Sequence, residues 1–174
     1  MNQSLAITAI GEDRPGIVNE LTEVLLDADL NIEDSRMSVL GGEFAIILLV
    51  TGNDASIKSI QQKKDELENT LNLSLLVKST TSRSKNNDLA SYTIRVEGMD
   101  NPGIVHKLAR YLSQQGINIV NMQTKSSHAP HTGTPIFTVD MLVDIPAAQN
   151  IEQVQDEFTK VCDELSMDAE FKAA

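Results

Sequence analysis

Tryptophan is absent and aromatic residues make up only 3% of the chain, so any core must be aliphatic. The one cysteine, Cys162, excludes an internal disulfide and fits a reducing compartment. Basic residues are scarce: 14 Lys and Arg stand against 25 Asp and Glu, a net charge of −11. That balance argues against direct nucleic-acid binding, which needs clustered cations. The nearest approach to a basic run, Arg83-Ser84-Lys85, reads as linker. No apolar run approaches the roughly 20 residues that cross a membrane, and no stretch resembles a signal peptide, so a cytoplasmic protein without membrane contact is expected. Gly-x-Ser-x-Gly, P-loop and Cys–His arrangements are missing as well, so neither an enzyme nor a cofactor is expected.

What the chain does have is a six-residue stretch that occurs twice. Asp13-Arg14-Pro15-Gly16-Ile17-Val18 returns as Asp100-Asn101-Pro102-Gly103-Ile104-Val105, 87 residues later in a chain of 174. Each copy follows an alternating apolar segment and opens a helical pattern. Pro15 and Pro102 suit a first helical position, where a missing N–H is harmless. Glycine next to them lets another group approach the backbone. The expectation is a strand-to-helix turn with free backbone N–H groups, a seat for a carboxylate.

The flanking pattern repeats too. Leu5, Ile7 and Ala9 alternate as a half-buried strand. Ile17, Leu21, Val24, Leu25 and Ala28 form one helical stripe. A second strand runs from Asn31-Ile32 to Leu40, Gly41-Gly42 marks a hairpin, and Phe44–Val50 reads as a central strand. Asn53-Asp54 caps a helix with the stripe Ile57, Ile60, Leu67 and Leu71, and Leu73–Val77 closes the unit. In the second half Tyr92, Ile94 and Val96 alternate, and Ile104, Leu108, Tyr111 and Leu112 keep the 87-residue offset, as does Asn118-Ile119. Phe137–Val143 matches Phe44–Val50 at an offset of 93, which makes the second hairpin six residues longer, around 128–133. Ile151, Val154, Phe158, Val161 and Leu165 mark its second helix, and Met167–Phe171 its last strand. The order strand, helix, strand, strand, helix, strand is ferredoxin-like. The fold class is therefore α+β with two βαββαβ domains, at 1–79 and 89–174, joined by a polar linker at 80–88.

Asn101 stands at an N-cap position before Pro102; Arg14 is a poor cap, and Asp13 is a substitute one residue back. Asn31 and Asn118 start the second strand of each half, where a side-chain amide can meet a ligand. His128 and His131 sit in the long hairpin with no Cys or carboxylate close in sequence, so an exposed loop is expected rather than a metal site. His106 reads as a solvated helix residue and Cys162 as packing.

The repeated turn and the Asn-Ile that follows each copy resemble the signature of ACT domains, small regulatory modules that bind amino acids. Two such units filling a short chain resemble the glycine cleavage system transcriptional repressor family. That resemblance implies a ligand, a small amino acid such as glycine, between paired ACT units. It would be lined by Asp13, Arg14, Gly16, Ile17, Val18 and Asn31 in the first copy, and by Asp100, Asn101, Gly103, Ile104, Val105 and Asn118 in the second. Many ACT sites carry Asn where this chain has Asp13 and Asp100; an acid there meets an ammonium and repels a carboxylate. The family's implied role is repression of glycine cleavage genes through a DNA-binding transcription factor, with a homo-oligomer expected. A stand-alone sensor controlling an enzyme or transporter, and an assembly module without ligand, are the alternatives.

Overall fold

The computed structural model describes residues 3–81 and 88–174. The chain divides into two compact units, Met1–Ser84 and Lys85–Ala174. The first contains β1 (Gln3–Glu12), α1 (Ile17–Asp27), β2 (Asn31–Leu40), β3 (Glu43–Gly52), α2 (Asp54–Gln62), α3 (Lys64–Leu71) and β4 (Ser74–Thr80). The second contains β5 (Leu89–Met99), α4 (Ile104–Gln114), β6 (Asn118–His128), β7 (Pro135–Pro146), α5 (Ile151–Asp163) and β8 (Met167–Ala173). The linker expected at 80–88 falls largely on residues 82–87, outside the described residues; Thr80 itself ends β4.

Each unit is a four-stranded antiparallel sheet, in the orders β2-β3-β1-β4 and β6-β7-β5-β8, with helices on one face. The alternation of β1 decides which face. Leu5, Ile7 and Ala9 are buried beneath the helices, together with Ile17, Leu21 and Leu25 of α1 and Phe44, Ile46, Leu48 and Val50 of β3. The second core repeats this with Ile94, Val96, Ile104, Leu108, Leu112, Val139 and Val143. Aromatics gather there: Phe158 meets Tyr111 edge-on at 5.7 Å and Phe171 at 5.3 Å between ring centres. Among the described residues the first core holds only Phe44 and is otherwise aliphatic.

Two expectations need correction. The single helix expected from Asn53 to Leu71 is broken at Lys63 into α2 and α3. Its apolar stripe lapses between Ile60 and Leu67, so nothing pulls the intervening turn onto the sheet, whereas the unbroken stripe of α5 keeps 13 residues in one helix. Pro15 and Pro102 do not begin their helices. α1 starts at Ile17 and α4 at Ile104, each after a glycine with a left-handed backbone, φ 89° at Gly16 and 86° at Gly103. Glycine adopts that conformation at the least cost, having no Cβ.

One feature repeats without any sequence signature. A bulge interrupts β2 between Ile32 and Asp34, and its counterpart interrupts β6 between Ile119 and Asn121. The extra residue is Glu33 in one unit and Val120 in the other. Glu33 accepts hydrogen bonds from Thr51 Oγ1 and Asn31 Nδ2, both at 2.8 Å, and these hold its carboxyl below the ordinary carboxylate value.

Candidate functional site

The two turns are built alike. Gly11 and Gly98, again 87 residues apart, let the start of the last strand lie against the end of the first. A Cβ at Gly11 would sit 2.7 Å from Leu73, and one at Gly98 would sit 2.6 Å from the Ser166 carbonyl. The chain is then tied to the neighbouring hairpin: the Asp13 N–H donates to Gly42 O at 3.0 Å, and the Asp100 N–H to Pro135 O at 3.2 Å. Ile17 and Ile104 are buried and anchor the first helical turn, while Val18 remains more than a third exposed.

Neither helix start is capped by a side chain. The expected cap Asn101 turns back instead and donates Nδ2 to Met99 O at 3.2 Å, because the left-handed Gly103 moves the cap position two residues on. The first helical rungs are Glu20 N–H to Gly16 O at 2.9 Å and Lys107 N–H to Gly103 O at 3.0 Å. The backbone N–H groups ahead of each rung have no partner inside the helix.

The surroundings of the two starts differ in charge. Arg14 donates Nη1 to Glu20 Oε1 at 2.7 Å and Nη2 to Glu20 Oε2 at 2.5 Å, and Nη2 also reaches the Leu71 carbonyl at 3.2 Å. This bidentate bond lowers the Glu20 pKa and raises that of Arg14. Glu20 Oε1 stands 3.6 Å from where a Cβ on Gly16 would be, so the ion pair lies beside the start of α1 without capping its N–H groups. In α4 the corresponding residues are Asn101 and Lys107. Its first turn holds no acid, and nothing lies within 4 Å of a Cβ placed on Gly103. Asp100 is exposed, and its Oδ2 accepts from Ser126 Oγ at 3.2 Å. The longer β6–β7 hairpin therefore flanks the second turn. His128 and His131 are exposed on it, and no set of three metal-ligating side chains is grouped among the described residues.

Asn31 and Asn118 are exposed at the starts of β2 and β6. Within one unit they lie at the far end of an 11-residue helix from the turn, a span of about 16 Å. One small amino acid cannot touch both within a unit. Asn31 instead borders a concavity of about 470 Å³ with Asn19, Glu23, Leu26 and Ile32. A second concavity, about 360 Å³, lies on the helix-free face of the second sheet around Arg95, Asp140 and Lys172. Neither includes a turn residue. Glu20 and Lys107, the residues that distinguish the two turns, are absent from the sequence-derived site; setting the halves side by side at the 87-residue offset exposes them.

Comparison with known proteins yields concordant matches. An ACT domain matches residues 3–78, and a second matches residues 92–163. The glycine cleavage system transcriptional repressor of Escherichia coli strain K12 is 30% identical over 162 residues, which span 93% of this chain and 85% of that protein. A crystal structure of an unknown protein from Galdieria sulphuraria has a TM-score of 0.87 at 30% identity, with 100% of this chain and 99% of that one covered. Another, provisionally described as a glycine cleavage system transcriptional repressor, has a TM-score of 0.74 at 25% identity, covering 100% and 98%.

Proposed function

The chain belongs to the ACT-domain family, in the group of the glycine cleavage system transcriptional repressor, and from that premise we propose that it senses a small amino acid at its second turn and regulates transcription by protein contact. The observation that carries the site is the start of α4. Its backbone N–H groups are uncapped, Gly103 leaves open space beside them, and Lys107 adds a positive charge in the first turn. A ligand carboxylate is attracted there by the helix dipole and the unpaired donors. The exposed Asp100 carboxylate stands in the same turn to meet the ammonium. Gly103, Ile104 and Val105 shape the floor, with Asn101 at the rim. The first turn, closed by Arg14 and Glu20, serves structure.

The net charge of −11 favours action through another protein rather than through DNA. The partner in this reading is a DNA-binding activator of glycine cleavage genes, and glycine or a close relative is the ligand. Calorimetric titration of the purified chain with glycine, alanine and serine tests the sensing step, with saturable binding to one site per chain expected. No heat up to millimolar concentration would end the sensor reading. Copurification of a transcription factor, gained or lost on adding that amino acid, tests the regulatory step.

A further inference from the structure

The two sheets share a fold but present opposite chemistry on the faces that carry no helix. In the first sheet the middle row across the strands is Arg36, Ile47, Thr8, Leu76. In the second the corresponding row is Gln123, Asp140, Arg95, Glu170. There Arg95 pairs with Asp140 at 3.3 Å and Glu97 at 3.2 Å, as suits a wet surface. The first face is apolar and uncovered: Ile47 is 51% exposed, Leu76 66%, Ile10 48% and Leu40 75%. Leu49, Ala45 and Ala6 lie between them on the same face. Contiguous apolar surface of this kind marks an interaction site.

We propose that this face pairs with the same face of a second copy of the chain, sheet on sheet, about a twofold axis parallel to the strands between β1 and β3. One charged row favours that occupant, whereas Glu12 and Glu43, paired at the hairpin end of the same face, set carboxylates against carboxylates there and confine the close contact to the rows from Ala45 to Leu49. The row next to Ile47 reads Asp34, Leu49, Ala6, Lys78, an acid at the β2 edge and a lysine at the β4 edge. A twofold axis along the strands sets β2 of one copy over β4 of the other. Asp34 then faces Lys78 of the second copy, and Lys78 faces its Asp34, as an isologous contact requires. In the adjacent row the stem of Arg36 lies across Leu76 of the second copy, covering it with methylenes. Aligned sheets cross at about 30°, which displaces the edge rows by roughly 4 Å, within the reach of a lysine. Among the described residues Lys78 has no carboxylate partner in its own chain, whereas Asp34 shares Arg36.

The face is also large enough. Three strands of ten residues and one of seven, about 4.8 Å apart, give roughly 600 Å² per copy, or roughly 1,200 Å² for two. Specific interfaces bury about 1,200–2,000 Å². The second sheet cannot pair in this way without desolvating Arg95, Asp140 and Glu170.

Pairing through this face needs no ligand, so its test is independent of the titration above. Sedimentation equilibrium of the full chain should give a dimer. Ile47→Glu with Leu76→Glu should weaken it by roughly 100-fold or more while circular dichroism stays at the wild-type value and Tm matches wild type at dilutions where both are monomeric, since both side chains are exposed. Asp34→Lys alone and Lys78→Asp alone should each weaken the dimer about tenfold. The two together should return it to within about threefold of wild type, because each new lysine then faces a new aspartate. A monomeric wild type, a dimer indifferent to the two glutamates, or a charge reversal that fails to recover would each overturn the pairing.

Discussion

The Arg14 guanidinium grips both oxygens of the Glu20 carboxylate, at 2.7 and 2.5 Å, and so sets a neutral ion pair beside the start of α1, where α4 carries Asn101 and Lys107 instead. One chain thus contains two copies of a turn, one closed by its own ion pair and one open. A helix start attracts anions, and a carboxylate already beside it opposes the approach of another.

The pair should leave a pH signature. The hydrogen bond from Arg14 holds Glu20 below its ordinary value of 4.5. A lowered carboxyl pKa stabilises the fold above the ordinary value, and that contribution disappears as pH falls through the lowered one. Glu20→Gln should therefore melt slightly below wild type near pH 7, and the difference should vanish towards about pH 2, where both side chains are neutral. Thermal melts of the two proteins across that range check it. The pair is more than a third exposed, so the effect is small and shrinks with added salt.

Lys107→Glu should lower affinity for the bound amino acid by at least about tenfold, because it recreates at α4 the charge that Glu20 places at α1. Glu20→Gln should leave that affinity unchanged. Calorimetry on both variants checks the assignment of the site to the second turn; equal loss in both would shift it to the first.

Glycine at the two helix starts is required by the backbone. Gly16→Ala and Gly103→Ala should each destabilise by about 1–2 kcal/mol, the cost of a left-handed L-residue, although neither Cβ would clash. Valine should cost more because its branched Cβ tolerates that backbone worse. Urea denaturation measures this. It also makes alanine the substitution to use when probing ligand binding at Gly103.

Cys162 is fully buried, and burial pushes its thiol up to about 12. Thiol reagents should label none of it in the native protein near neutral pH and one site per chain in denaturant. Cys162→Ser should destabilise by about 1–3 kcal/mol, since a hydroxyl there enters an apolar core. Native labelling at the unfolded rate would contradict this packing.

Much of the architecture is readable from the residues alone because periodicity reports burial directly. The alternation of Leu5, Ile7 and Ala9 and the three-four spacing of Val154, Phe158 and Val161 each allow one partner face. The break at Lys63 is less evident: six polar residues in a row, 61–66, lower the drive to pack without forbidding a helix. The repeated bulge at Glu33 and Val120 is invisible in sequence, since one residue is charged and the other aliphatic. What they share is a position in the register against β3 and β7.

The linear chain by itself determined two α+β units of one fold, a repeated glycine turn and an acidic surface, because each depends on local pattern or composition. Tertiary structure decided three further matters. Arg14 closes the first turn through Glu20 and the carbonyl of Leu71, 57 residues away. Gly103 stands in open space. Ile10, Ile47 and Leu76 come together on one uncovered face. Each depends on groups distant in sequence but adjacent in space, which no reading of neighbours along the chain can supply.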